Sequence, residues 1–557
     1  MVDITKIRNF SIIAHIDHGK STLADRLLEV GGIKEKSDDE IPVLDFMPVE
    51  REHGITVKAQ SATFEYKSKD GNTYIFNLID TPGHIDFSFE VRRSLRACEG
   101  VLLLVDATQG VQAQTLTNFL LAFEEGLEIL PVINKIDLPI ADVAATKEEI
   151  EKELGISAED AVLISAKEGI GIEELMEAIV KKVPHPRGNF DAPLKALVFD
   201  SFYDNYKGVV AKIRVFDGVV KPGDEILFMG GQKRYRVEEV GVIALKLIKK
   251  DYLSAGEVGY LIGNIKSISD FTVGDTITHS SNPTSVALPG YREPKPMVYA
   301  CIFPTENEDF NDLKEVMYKL KLTDSSITFE PVNSASMGMG FKCGFLGLLH
   351  MQIVMERLDT EFGISVISTV PTVKYKVNLK SGTSVYIENP MELPEITKID
   401  SIEEPFVSLT IIAPDGYIGS IMEIMRDKRA EQKEMRYIDS KRLELKYEVP
   451  LSEIIYGFFD KLKSVTSGYA SMDYEFIGYR KSDIVKLDVL VNGKQVDALS
   501  FLVHRDLAPY KGRELVKKLQ KLIPKHLFPI AIQAAIGSRV IAREDISALR
   551  KDVTAKC

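Results

Sequence analysis

The chain has 557 residues, 45% hydrophobic and 27% charged, enough for several separately cored domains and too evenly polar for a membrane-spanning bundle. Its net charge of −13 argues against a protein coated in nucleic acid by bulk attraction. The cysteines Cys98, Cys301, Cys343 and Cys557 are scattered without a CxxC pair and read as reduced cytosolic thiols. Cys343 and His350 are two conceivable metal ligands with no second pair, so core packing explains them better. "GVLLLVDA" is about the longest apolar run, and "MVDITKIRNF" carries no basic-then-apolar export signal, which reads as cytoplasmic.

Residues 1–184 alternate buried strands ("RNFSIIA", "TYIFNLID", "GVLLLVDA", "LEILPVINK", "DAVLISA") with helices such as "FSFEVRRSLRACEG" and "TKEEIEKELG", the pattern of a doubly wound α/β sheet. "ATFEYKSKDGNTYIFNLID" is two strands around Asp70-Gly71, so one edge strand is expected to be antiparallel. "VPHPRGNFDAP" ends this domain. Short strands over 189–282 then read as a β-barrel. After a break at "SNPTSVALPGYREPKP", residues 295–377 form an α+β unit, and 403–483 give β-α-β-β-α-β, the ferredoxin-like order. In the latter, "YIGSIMEIMRDKRAEQKEM" is read as the first helix. Residues 484–557 hold 14 Lys+Arg against 7 Asp+Glu, a balance of +7 that leaves −20 on the preceding residues. A basic end on an acidic body points to a local polyanion contact.

Four motifs of the first domain carry chemistry. "AHIDHGKST" follows a strand and opens a helix, as a phosphate-wrapping P-loop must, although Ala14 stands where the pattern has Gly. Ala is tolerable there at ordinary backbone angles, whereas no side chain replaces Gly19. In this loop (Asp17, His18, Gly19, Lys20, Ser21, Thr22), Lys20 is placed on the β- and γ-phosphates and the Ser21 hydroxyl on Mg²⁺. "DTPGH" ends a strand; there Asp80 can hold a Mg²⁺-bound water and the Gly83 N–H can sense a γ-phosphate. "NKID" (Asn134, Lys135, Ile136, Asp137) and "SAK" (Ser165, Ala166, Lys167) also end strands, where open α/β sheets bind ligands. Each motif alone fits a turn or cap; four in order do not.

The nucleotide follows from hydrogen-bond chemistry. The Asp137 carboxylate matches the N1–H and N2–H₂ donors of guanine, which adenine lacks, and the Ala166 N–H can donate to O6. Asn134 braces the loops, and the stems of Lys135 and Lys167 cover the base. The ligand expected is therefore GTP, with GDP as its product. A further clamp for γ-phosphate and Mg²⁺ is sought in "VEREHGIT"; Thr56 is the candidate, and an ordinary strand threonine accounts for it equally well. The acidic "KEKSDDE" before it reads as a solvated loop.

"AHIDHGKST", "REHGIT", "DTPGH", "NKID" and "SAK" together resemble the translational GTPases, in which Ala at the first P-loop position is common. The resemblance covers essentially the whole chain. It assigns Thr56 to Mg²⁺, His84 to positioning the attacking water, Ile16 and Ile55 to an apolar gate, and Asp17 to the phosphate surroundings. The barrel, 295–377 and 403–483 resemble the second, third and fifth domains of elongation factor G, with no room for its fourth. The tail beginning at "VDALSFLVHRDLAPYKGRELVKKLQ" makes the arrangement similar to the elongation factor 4 branch. That branch runs on through a further basic stretch, so 484–557 is expected to be incomplete. The family implies a ribosomal partner, the 70S particle with its large-subunit RNA and tRNA, and an action on translocation, back by one codon or in rescue of stalled ribosomes. A monomer is expected.

On "GRELVKKLQKLI", Arg513, Lys517 and Lys521 recur at helical spacing, with Leu515, Val516, Leu519 and Leu522 opposite. A solvated helix with a buried stripe explains this nearly as well as an RNA face; the local charge with Lys518, Lys525, Arg539 and Arg543 tips the reading towards RNA phosphates. The competing class is a GTP-gated module whose basic tail meets anionic lipid as a peripheral membrane contact.

Overall fold

The first long apolar run folds as β1 (Ile7–Ala14), buried at every position, as a strand covered by helices on both faces must be. In the computed structural model the described residues are 2–15, 17–33, 50, 56, 58–82, 87–204, 206–263, 265, 273–289, 296–305, 310–324, 326–437, 442–455, 457–466 and 470–549. They belong to two units, Met1–Pro294 with Met317–Ser326, and Lys295–Val316 with Ile327–Cys557.

In the first unit, β1 joins β2 (Gln60–Lys67), β3 (Thr73–Asp80), β4 (Gly100–Asp106), β5 (Glu128–Asn134) and β6 (Val162–Leu163) in the order β2-β3-β1-β4-β5-β6. All neighbours are parallel except β2 and β3, the hairpin expected at the edge. Its turn closes through Gly71, whose φ of 85° suits a residue without Cβ. Among the described residues, the helices that accompany this sheet include α1 (Lys20–Val30), α2 (Ser88–Leu95), α3 (Ala113–Glu124), α4 (Val143–Glu149) and α5 (Ile172–Lys182). Alternation along β1 feeds two cores. Phe10 and Ile12 pack with Leu23 and Leu27 of α1 and Leu175 and Ile179 of α5, while Ile13 packs with Val91 and Leu95 of α2 and Phe119 of α3. Each such side chain contributes about 1.5–3 kcal/mol of burial.

Beyond this sheet, β7 (Lys195–Asp204) and β8 (Gly208–Asp217) pair antiparallel within a sheet completed by Glu225–Phe228, Lys233–Ala244, Lys246–Lys250, Val258–Gly263 and Thr276–His279. Glu225–Phe228 pairs with both Lys233–Ala244 and Thr276–His279, which closes the barrel around Val198, Ile213, Phe228 and Leu261.

The second unit holds two sheets of the same strand order. Val298–Pro304 and Gly338–Phe345 are central, flanked by Val366–Ser368 and Thr328–Ser334. Ile399–Pro414 and Arg442–Pro450 are central in the other, flanked by Ser471–Ser482 and Glu431–Tyr437. Both are ferredoxin-like. The helix expected over "YIGSIMEIMRDKRAEQKEM" is shorter: it spans Ile418–Arg426, and "EQKEMRY" is an exposed edge strand instead. Arg429 at φ 53° breaks the helix, and the polar residues after it have no apolar stripe to hold a helix against a core. The basic tail folds as a sheet of Ile484–Val491, Ile530–Ile536 and Arg539–Ile546, on which the helix Ala508–Leu522 packs through Ala508 and Val516.

Candidate nucleotide site

The phosphate end begins where β1 stops. Ala14 is the last strand residue, 1% exposed and outside the left-handed region, so its methyl is accommodated in the core. The chain then turns through Asp17 (φ 65°) and Gly19 (φ 91°), and Gly19 caps α1. A Cβ on Gly19 would lie 2.6 Å from Asn134 Nδ2, so sterics and backbone angle both demand glycine. The eleven-residue α1 turns its N-terminus towards this loop, a favourable place for an anion.

Lys20 Nζ lies within this cup. It donates to Thr56 Oγ1 at 2.6 Å, to the Asp80 carboxylate at 3.1 Å, and to the Thr81 carbonyl. Thr56 Oγ1 also donates to Asp80 at 3.3 Å, and both residues are buried. Thr56 is thus not in a regular strand but beside the P-loop lysine. Asp80 reaches the same point from the end of β3.

The base end is built by Asn134, whose amide donates to the His18 carbonyl at 2.8 Å and accepts the Ala166 N–H at 3.0 Å. It braces the P-loop against the "SAK" loop as expected. The Ala166 N–H, expected to be available to a base, is engaged by Asn134 in this structure. Lys135 (φ 62°) donates to the Asp17 carbonyl at 2.7 Å and pairs with Asp106 at 2.7 Å. Burial works to raise the Asp106 carboxyl, but the Lys135 ammonium and the Thr108 donors outweigh it and hold it below the ordinary carboxylate range. His18 is buried, and its Nδ1 accepts the Asp106 N–H at 3.3 Å. Ser165 is buried and Ile136 half-buried. Asp137 and Lys167 are exposed at the rim, and Ser21 and Thr22 lie on the first turn of α1.

Sequence reasoning missed two braces. Arg26 on α1 donates to the carbonyls of Ala166 at 2.9 Å and Lys167 at 2.7 Å, and Asp106 anchors Lys135. Neither lies in a recognisable motif; the only hint for Asp106 is its place at a C-terminal strand end. Gly83, His84, Ile16 and Ile55 lie outside the described residues.

Away from this site, Arg513, Lys517, Lys518, Lys521, Lys525, Arg539 and Arg543 all lie on the tail sheet, its helix or the loop between them, and all are exposed. Val516 is buried as expected, but Leu522 is 77% exposed, because the helix ends there and lifts it off the sheet. His350 is buried and its Nδ1 accepts the Leu346 N–H at 3.0 Å, so it braces its own helix start, and Cys343 packs in a strand core. No helix among the described residues is long and apolar enough to cross a membrane.

Family models match in sequence order: the elongation factor Tu GTP binding domain over residues 5–185, elongation factor Tu domain 2 over 208–278, the elongation factor G C-terminus over 401–490 and the GTP-binding protein LepA C-terminus over 491–557. An elongation factor 4 of Lactiplantibacillus plantarum is 56% identical over 99% of this chain and 90% of its own length. That of Lactococcus lactis subsp. cremoris is 55% identical over 99% and 91%. A crystal structure from Thermus thermophilus shares the fold at a TM-score of 0.63 and 21% identity, over 86% of this chain and 97% of that one. On these matches the chain belongs to the elongation factor 4 family of translational GTPases, which bind GTP and GDP and hydrolyse GTP.

Proposed function

We propose that this chain is a ribosome-dependent GTPase that uses GTP to time an action on tRNA translocation, back by one codon or in rescue of stalled ribosomes. The observation that carries the reading is the meeting of Lys20, Thr56 and Asp80, which brings Thr56 against the phosphate cup. A residue held there is placed to respond to the third phosphate of a nucleotide.

The donors around Lys20 also suit Mg²⁺. Ser21 and Thr56 offer hydroxyls, Asp80 offers a carboxylate through water, and hard oxygens are what this ion takes. The Lys20 ammonium between Thr56 and Asp80 supports the reading of a pocket that favours a cation. When bound, Mg²⁺ supplies neutralisation of charge on the β- and γ-phosphates. Lys20 stabilises charge building on the bridging oxygen. Gly83 holds the γ-phosphate through its N–H, and His84 orients water in line. Asp137 reads guanine, with Asn134, Lys135, Ile136, Ser165, Ala166 and Lys167 shaping the base pocket. Asp17, His18, Gly19 and Thr22 complete the phosphate loop.

The sequence offers no recognisable internal arginine finger, so intrinsic hydrolysis is slow and the ribosome completes the site by docking His84. Hydrolysis then releases Thr56 and Gly83. Arg513, Lys517, Lys518, Lys521, Lys525, Arg539 and Arg543 are the contacts proposed for RNA phosphates, and the protein acts as a cytoplasmic monomer. GTP turnover with and without 70S ribosomes tests this: stimulation of about 10³-fold or more is expected by analogy with partner-completed sites. Unchanged turnover refutes it. His84→Ala retains GTP binding and loses the stimulation; a fully active variant removes His84 from the mechanism. Flotation with anionic liposomes, without ribosome pelleting at the same salt, would instead favour a membrane-surface module.

A further inference from the structure

One buried carboxylate in the barrel gathers cations from both segments that flank the phosphate cup. Asp200 lies on β7 opposite Lys212 of β8, just after a β-bulge between Val198 and Asp200. Bulges re-aim side chains; this one accompanies an Asp200 only 1% exposed. Lys212 Nζ pairs with Asp200 at 2.9 Å and also donates to the Ala59 carbonyl at 2.9 Å. In return, Lys58 Nζ donates to the Ser201 carbonyl at 2.5 Å and lies 3.7 Å from Asp200. Residues 58 and 59 are therefore clasped by reciprocal bonds, and Lys58 follows Thr56 closely in the chain. Arg93 of α2, the helix that follows "DTPGH", reaches the same Asp200 oxygen at 3.6 Å. Lys58, Arg93 and Lys212 are all buried, as is Glu90, which lies 3.8 Å from Arg93.

Such a cluster is a poor device for stability alone. Desolvating several charges offsets most of their attraction, and apolar side chains of the same volume hold two surfaces together as well or better. What a shared counter-ion supplies is geometry. It fixes where the chain leaves Thr56 and where α2 sits, relative to one rigid barrel strand.

We propose that Asp200 is a positioning residue for nucleotide discrimination: through Lys58 it holds Thr56 within reach of Lys20, and through Arg93 it holds α2 in the arrangement that a third phosphate requires. The inference rests on the proposed reading of Thr56 as a γ-phosphate sensor. A diphosphate makes no demand on Thr56, so its binding does not depend on the clasp.

The test compares a non-hydrolysable GTP analogue with GDP on the full chain. In Asp200→Asn, which keeps the shape and removes the charge, the dissociation constant of the analogue rises about tenfold while that of GDP stays within about twofold, a coupling of ordinary size. A role confined to holding the domains together would move both constants alike or neither, and either result overturns the proposal. Should Asp200→Asn fail to fold, Lys58→Gln, which leaves the Asp200–Lys212 pair in place, decides on the same ratio. Thr56→Val separates the two ideas: an unmoved ratio of analogue to GDP affinity in that variant refutes the sensor reading itself, whereas a shifted ratio there with an unmoved one in Asp200→Asn refutes only the role of Asp200.

Discussion

Asp137→Asn lowers affinity for GTP by roughly 10³–10⁴-fold and raises affinity for xanthosine triphosphate. The wild-type carboxylate is an acceptor at both oxygens and stands exposed at the end of "NKID". Guanine offers it two donors, N1–H and N2–H₂. Asparagine keeps one acceptor and turns the other position into a donor, which then faces the exocyclic amine. An unmatched donor pair in a site built for hydrogen bonds is what produces strong rejection. Xanthine carries a carbonyl where guanine carries that amine, so the same substitution restores the match. The fold is untouched, because Asp137 lies on the surface and outside the core. Competition binding with the two triphosphates checks this, and equal weakening towards both would show that Asp137 acts on stability and not on the base.

Lys20→Met has the second large effect, and it acts on two levels. On the proposed role of Lys20, it removes charge-assisted hydrogen bonds to the phosphates, each worth about 1.5–3 kcal/mol, so GTP affinity falls by about 10²-fold or more. In turnover, it removes a positive charge aimed where negative charge develops, a further loss of ~10²–10³. The protein itself also feels the change. Asp80 is fully buried and its ammonium partner is gone, and leaving one member of such a pair alone costs about 3–5 kcal/mol. Hydrogen exchange of the peptide containing β3 reads this loss locally, and faster exchange there is expected in the nucleotide-free variant. Unaltered exchange would mean that the Lys20–Asp80 contact does not hold the end of that strand.

The parts of this molecule legible from sequence are those set by local chemistry. The P-loop, the Asp70-Gly71 hairpin and the strand-end motifs need particular residues at fixed spacing, and backbone sterics or apolar period announce them. Asn134 was legible as a brace because its place in "NKID" sets its role. The failures share another cause. After Arg426 the residues are nearly all polar, so neither a 3.6- nor a 2-residue period shows, and only pairing with a neighbouring strand makes "EQKEMRY" an edge strand. Arg26 and Asp106 act on loops far along the chain, and neither lies in a motif of its own. Leu522 obeys helical spacing yet is exposed, since spacing does not say where the underlying sheet ends. The clasp at Asp200 is the extreme case: it joins residues far apart in the chain and depends on a bulge.

The most direct test of the account is calorimetric titration of the nucleotide-free chain with GTP and with ATP in the presence of Mg²⁺. The proposed grip of Asp137 on guanine and of Lys20 on the triphosphate predicts saturable GTP binding and ATP binding weaker by at least about 10³-fold. Comparable heats and affinities for the two nucleotides would contradict it.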